Sequence, residues 1–334
     1  MKLFFVFHLL CQTSLSSLSP PAAPVPLDLP LNKSFISLTW FDKYHDYQAH
    51  VDFLHSLAKK HAHLARGIHL FGKSGPGQKP AIVFFGTIHA REWITTMVTE
   101  YTAYNLLKGY RINRDIKQAL NSFDFYIFPV VNPDGFVYTQ TTNRMWRKNR
   151  QTQKGTACVG RDLNRNWDVQ WNQTGAASSR PCRQTYKGLT PLDAPETRAL
   201  ATELKAIKKR QGLRLFIDWH AFGQLVMYPY GHSCDKKLPP FSATSWLAGE
   251  LAEAMTKVRG TRYRAGTACD LLYPTSGDSA DYAFEVLGAD YAYTVELRPE
   301  VGGRGGFKLP EDKILATAEE AWGGIRHVLK LIHL

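Results

Sequence analysis

Nowhere does the sequence hold an apolar run long enough to cross a bilayer, so no membrane-spanning helix is expected. The five cysteines include no Cys-x-x-Cys pair, which removes the usual thiolate spacing of a closed structural zinc site. Internal repeats are absent, as are RNA- and DNA-binding motifs. Beyond about residue 40 there is neither a Pro/Ser-rich linker nor a block of like charge. Acidic residues are the scarcer sign, 29 against 41 Lys and Arg, for a formal charge of +12. The basic residues are dispersed, however, so the excess reads as a soluble basic surface and not as a nucleic-acid footprint. What remains is a chain of 334 residues, 44% hydrophobic and 21% charged, able to bury one large core in a single domain.

The beginning is compositionally distinct. Met1-Lys2, the apolar run Leu3–Leu10 and the Ser/Pro/Ala-rich sequence after it read as a secretory signal over residues 1–20, with a disordered cytosolic tail as the alternative because His8 interrupts the run. Residues 21–39 form an extended, Pro-containing lead, and the main domain is expected over 40–334. A secreted, extracellular protein suits the cysteines. If Cys11 leaves with the signal, Cys158, Cys182, Cys234 and Cys269 remain, enough for two bridges in one of three pairings. Asn32-Lys-Ser and Asn172-Gln-Thr are glycosylation sequons.

Hydrophobic patterning predicts an α/β fold. Ala81–Gly86, Leu213–Trp219 and Tyr291–Val295 read as buried strands, and Phe123–Val131 as a central strand ending at an Asn-Pro-Asp-Gly turn over residues 132–135. Tyr47–Lys60 has helical spacing, with Val51, Leu54, Leu57 and Ala58 on one face; Glu92–Leu107 is a second helix. The tail from Glu311 carries Ile314, Leu315, Ala318, Ala321, Trp322, Ile325, Val328 and Leu329 at helical intervals. Alternating strands and helices imply a mostly parallel sheet covered on both faces.

Four residues close the predicted strands: His89 and Glu92 after the first, His220 after the second and Glu296 after the third. Ligands of open α/β sheets gather beyond the carboxyl ends of the strands, so these side chains can converge there. Two imidazoles and a carboxylate leave tetrahedral Zn²⁺ one open position, the arrangement of a hydrolytic site, and one zinc per chain is expected. Glu296 is then free to act as general base. Each residue has a plainer reading: Glu92 as a helix-start carboxylate, His220 as a core histidine, Glu296 as the partner of Arg298.

Thr87–Thr95 (TIHAREWIT), Met145–Arg147 (MWR), Gly160–Asp168 (GRDLNRNWD), Gln184–Gly188 (QTYKG), Tyr228–Gly231 (YPYG) and Glu296–Arg298 (ELR) occur in one order. As a set they resemble the funnelin metallocarboxypeptidases of the pancreatic carboxypeptidase A/B type, from about Trp40 to the C-terminus. The resemblance implies a single α/β/α domain with a mixed, mostly parallel eight-stranded sheet. It implies a zinc-dependent exopeptidase acting on peptide or protein C-termini as a monomer, without nucleic-acid or membrane partners. It assigns His89, Glu92 and His220 to zinc, Glu296 to proton transfer and Arg147 to the developing oxyanion, where a solvated charge is the alternative. Asp162, otherwise a turn residue, would hold a zinc histidine. Asn164 and Arg165 would clamp the substrate's terminal carboxylate, with Arg91 as an accessory contact, and Tyr273, otherwise a packing residue, would close over bound substrate. The same resemblance pairs Cys158 with Cys182 and leaves Cys234 for Cys269.

Aligning Tyr273–Asp281 with the family's specificity segment places Ala280 at the pocket floor, which suits aromatic and large aliphatic C-terminal residues. Asp278, two positions earlier, is expected as a solvated loop aspartate; turned inward it would favour Lys or Arg instead. A non-catalytic peptide-binding relative is the other alternative. Three departures stand out. Met1–Thr39 is too short for a folded inhibitory pro-domain, Phe222 and Gly223 replace a polar pair, and the loop Pro299–Gly306 is long and lacks its usual aromatic.

Overall fold

The computed structural model describes residues 37–72, 75–173 and 175–332. The expected signal segment, most of the lead, Cys11 and both asparagine sequons' undescribed parts, Asn32 and Thr174, lie outside the described residues.

Eight strands form one mixed sheet: β1 (Ala65–Arg66), β2 (His69–Leu70), β3 (Ala81–Gly86), β4 (Asp124–Phe128), β5 (Leu213–Gly223), β6 (Leu225–Tyr228), β7 (Arg264–Thr267) and β8 (Tyr291–Glu300). Their spatial order is β1-β2-β4-β3-β5-β8-β6-β7. The central run β4-β3-β5-β8 is parallel, β2 joins β4 and β6 joins β8 antiparallel, and β7 lies parallel to β6. The helices are α1 (Tyr47–Lys60), α2 (Trp93–Gly109), α3 (Arg114–Ser122), α4 (Pro133–Thr141), α5 (Pro195–Gln211), α6 (Ala243–Arg259), the short α7 (Ala268–Leu271) and α8 (Ser279–Asp281), and α9 (Ile314–Leu331).

Period-2 alternation splits the core between the two faces. Ile82 and Phe84 of β3 pack with residues of α1, α2, α3, α6 and α9, while Ala81, Val83 and Phe85 pack with Leu200, Leu204 and Ile207 of α5. All five β3 side chains are wholly buried, and burying a residue such as Phe or Ile stabilises by about 1.5–3 kcal/mol. The chain's end is held in the same way. In α9, Ile314, Ala318, Ala321, Trp322, Ile325, Val328 and Leu329 are buried, and only Leu315 of the predicted stripe is half-exposed. Close approach to α6 requires Gly324, where a Cβ would lie 2.6 Å from atoms of both Leu251 and Met255. Among the described residues no helix is long and apolar enough to cross a membrane. The bridges are Cys158–Cys182 and Cys234–Cys269.

Three local expectations need correction. The inner face of α1 is His50, Phe53 and Leu57, with Val51, Leu54 and Ala58 only half-buried. His50 is drawn inward by Glu100 of α2, 2.9 Å away, and Trp40 stacks on Phe53, so the buried stripe is turned from the purely apolar one. Residues 132–135 open α4 instead of forming an isolated turn. The Asn132 side chain accepts the Gly135 N–H at 3.1 Å and Pro133 occupies the first helical turn. Finally, β5 and β8 run past His220 and Glu296, because their ladder continues to Gly223 and Glu300 and β6 pairs with β8 from its other edge. The two residues therefore sit inside strands, not at their ends.

Candidate metal centre and active site

Leaving β3, the chain turns through His89 to Glu92, the residue that precedes α2. Glu92 makes no side-chain capping bond. Its Oε1 lies 2.9 Å from His89 Nδ1 and its Oε2 3.1 Å from His220 Nδ1, while Oε2 also accepts the Ala221 N–H at 3.1 Å. The helix-start reading of Glu92 is thereby removed. The two Nδ1 atoms stand 3.1 Å apart, and all three side chains are buried. Donor separations of 2.9–3.1 Å come close to the ~3.3 Å edge of a tetrahedron with zinc–ligand bonds of about 2.0–2.1 Å. Two imidazole lone pairs and a carboxylate facing one buried point fit a divalent cation, and His89, Glu92 and His220 are the group able to hold one among the described residues.

The far side of each imidazole is held by a carboxylate. His89 Nε2 lies 3.1 Å from Asp162 Oδ1, and Asp162 Oδ2 accepts from Arg147 through Nε at 3.0 Å and Nη2 at 2.9 Å. Burial pushes the Asp162 carboxyl up, but Arg147 and His89 outweigh it and hold the group well below the usual range. Arg147 is thus fixed in the site and is not a solvated charge. His220 Nε2 lies 3.1 Å from Asp218 Oδ2, a partner the sequence reading missed. The signal was present: an aspartate inside an apolar strand, two residues before His220 and so on the same face. Holding an imidazole by its second nitrogen fixes the tautomer that offers the first.

In β8, Glu296 stands in register with His220 of β5. It is half-buried as a residue, yet its Oε2 is buried without a hydrogen-bond partner among the described residues. Burial and the neighbouring Glu92 push its carboxyl up, against His220 and Arg147, to about 7. The alternative pairing with Arg298 is not formed, since that guanidinium binds Glu320 and Thr261.

A cleft opens here, lined by His89, His220, Arg147 and Glu296 and also by Asn164, Arg165, Met227, Tyr273, Thr275, Asp278 and Ala280. Arg165 is buried. One Nη donates to the Asn164 carbonyl at 2.6 Å, and its Nε has no partner among the described residues. The Asn164 side-chain oxygen accepts the Ser279 N–H at 2.9 Å. Tyr273 is 47% exposed at the rim, and Ala280 is buried. Arg91 is not brought into the cleft; its guanidinium stacks 3.8 Å from the Phe307 ring. Arg144 fastens that arrangement by donating to the Arg91 and Phe307 carbonyls at 2.7 and 2.8 Å. Phe307, edge-on to Phe222 at 4.8 Å, supplies an aromatic immediately after the loop that lacks one. Asp278 corrects the expectation of a solvated loop residue: it is buried and lines the cleft, because its Oδ1 caps α8 by accepting the Asp281 N–H at 2.9 Å.

Comparison with known proteins places these features in context. The family model described as zinc carboxypeptidase matches residues 56–324. Metallocarboxypeptidase A of Trichophyton equinum is 45% identical, over 88% of this chain and 72% of that protein. Carboxypeptidase A2 of Rattus norvegicus is 40% identical, over 76% of this chain and 59% of its own length. Among solved structures, carboxypeptidase A from Helicoverpa armigera superposes with a TM-score of 0.77 at 30% identity, covering 88% of this chain and 74% of that one. Bovine thrombin-activatable fibrinolysis inhibitor, solved with a tick carboxypeptidase inhibitor, gives 0.79 at 30% identity, covering 88% and 98%.

Proposed function

Because the chain belongs to the zinc carboxypeptidase family, and is therefore a metal-dependent exopeptidase acting on peptide C-termini, we propose that it is a secreted, monomeric enzyme that releases aromatic and large aliphatic residues. The observation that carries this reading is the shared cleft. It joins the convergent His89, Glu92 and His220 to Glu296, Arg147, Arg165 and Ala280.

His89, Glu92 and His220 would hold the zinc, which would supply Lewis acidity for the scissile carbonyl and for water. Glu296 takes the proton from the attacking water and delivers it to the leaving amine. Its Oε2, buried without a hydrogen-bond partner among the described residues, is free for that exchange. Arg147, oriented by Asp162, faces the negative charge that grows on the carbonyl oxygen. Arg165 and Asn164 receive the terminal carboxylate. A guanidinium meets a carboxylate with paired, charge-assisted hydrogen bonds, and the unpartnered Arg165 Nε is available for them. Tyr273 covers the mouth of the cleft, whereas Arg91 is held away from it by its stack on Phe307. Ala280 and Met227 contribute apolar surface for the side chain being released.

The test is a panel of blocked dipeptides that differ only in the last residue, assayed with and without chelator. Chelator-sensitive release of Phe, Tyr, Trp or Leu in preference to small or acidic residues is expected. A panel hydrolysed equally regardless of its last residue overturns the specificity.

A further inference from the structure

Among the described residues five besides glycine hold their backbone in the left-handed region, and Thr87, at φ 55°, is the one that is both buried and β-branched. A β-carbon carrying two heavy atoms crowds its own backbone there, so such a residue keeps the conformation only where its surroundings impose it. Thr87 lies at a decisive place. It follows the last residue of β3, Gly86, and precedes His89 by two positions.

What imposes the conformation is α2. The Thr87 N–H donates to Thr95 Oγ1 at 2.8 Å, and the Thr87 hydroxyl lies 2.9 Å from that of Thr95 and 2.5 Å from that of Thr96. The last acceptor fixes the order of the protons. Thr95 donates its hydroxyl proton to the Glu92 carbonyl at 2.7 Å, so it accepts from Thr87, and Thr87 in turn accepts from Thr96. Three hydroxyls therefore form one directed chain that ends on the main chain of Glu92, each bond polarising the next. All three threonines are wholly buried. A Cβ at Gly86 would lie 2.6 Å from Thr99 Oγ1 and 2.9 Å from the Thr95 carbonyl oxygen, so the strand end and the helix have no room to slide. Other segments hold the rest of the turn. The Gly86 carbonyl accepts the Val131 N–H at 3.0 Å, the Ile88 carbonyl accepts Asn132 Nδ2 at 3.0 Å, and the Ala90 N–H donates to the Arg147 carbonyl at 3.0 Å.

Resting on the metal-centre reading, we propose that Thr87 is a positioning residue for the metal: its hydroxyl clasp on Thr95 and Thr96 holds the left-handed turn that sets His89 and Glu92 at their 2.9 Å separation. Thr87 acts through that turn and touches no reacting group. Ligands held in place by the fold lose less freedom on binding, so the clasp is read as metal affinity and as ligand geometry.

The experiment measures zinc affinity by competition with a chelator, the visible absorption bands of the cobalt-substituted enzyme, and the melting temperature of the metal-free protein. It compares the wild type with Thr87→Ser, Thr87→Gly and Thr87→Val. Serine keeps the hydroxyl, glycine takes the left-handed backbone without strain but has no hydroxyl, and valine keeps the branched β-carbon alone. Wild-type affinity and bands are expected in Thr87→Ser. In Thr87→Gly and Thr87→Val zinc should bind on the order of tenfold more weakly, with the cobalt bands shifted. A merely structural role would lower the melting temperature and leave the bands in place, which overturns the inference. Wild-type affinity and bands in Thr87→Gly also overturn it, because the backbone conformation alone would then set the turn, and so does an equal loss in Thr87→Ser and Thr87→Gly. Should Thr87→Val fail to fold, the serine and glycine variants decide between these outcomes. A wild type that binds no zinc overturns the metal-centre reading instead.

Discussion

His220 and Glu296 are register partners on adjacent parallel strands, one turned to His89 and Glu92 and the other carrying a buried oxygen without a partner among the described residues. Two strands of the sheet core therefore fix the spacing between the candidate metal-ligating imidazole and the proposed base.

Replacing Glu296 with Gln preserves size and hydrogen bonding but removes the proton acceptor. Turnover of a Phe-ended dipeptide should fall by about 10²–10⁴-fold. Zinc content and melting temperature should stay at wild-type values, so that steady-state kinetics beside metal analysis separate loss of the base from loss of the site.

Metal retention is expected to depend on the carboxylates behind the imidazoles. Metal analysis of the purified protein should give one zinc per chain, absent from His89→Ala. Asp218→Asn should weaken zinc binding about 10–100-fold, as loss of an orienting partner does elsewhere. Competition against a chromogenic chelator measures this directly, and wild-type affinity in Asp218→Asn would assign its contact with His220 no role in holding the metal.

Amidating the substrate's C-terminus removes the charge that Arg165 and Asn164 are proposed to receive. Leaving a buried guanidinium unmatched costs on the order of 2–5 kcal/mol, so kcat/KM should drop at least about 30-fold. Equal hydrolysis of acid and amide would assign the cleft to internal bonds or amides.

Glu320 of α9 is wholly buried and accepts from the Tyr263 hydroxyl at 3.1 Å and the Arg298 Nε at 2.8 Å. Glu320→Leu strands both donors. Because Arg298 keeps some exposure to water, the loss should lie near the lower end of that for broken buried pairs, about 3 kcal/mol, read from denaturant midpoints.

Residue types and spacing made much of the site legible before any coordinates. His89 and Glu92 are three residues apart at a helix start, and His220 and Glu296 lie in apolar strands, so their convergence followed from sheet topology. The roles of Asn164 and Tyr273 came instead through resemblance to a family. Asp218 was overlooked because a single aspartate in an apolar run gives no indication of which neighbour it faces. Arg91 was expected at the substrate and lies stacked on Phe307, a contact across a loop whose path sequence alone does not trace.

The sequence by itself determined the central strands, the layered α/β architecture and the candidate ligands, because apolar periodicity and side-chain chemistry are local properties of the chain. Tertiary structure alone decided the pairing of charges. It gave Arg298 to Glu320 and so left Glu296 Oε2 without a partner among the described residues, and it turned Asp278 into the cleft through a cap on a helix three residues long. A charged group has several partners within reach along a chain, and which one it meets, and how much water remains there, is fixed only when distant segments pack.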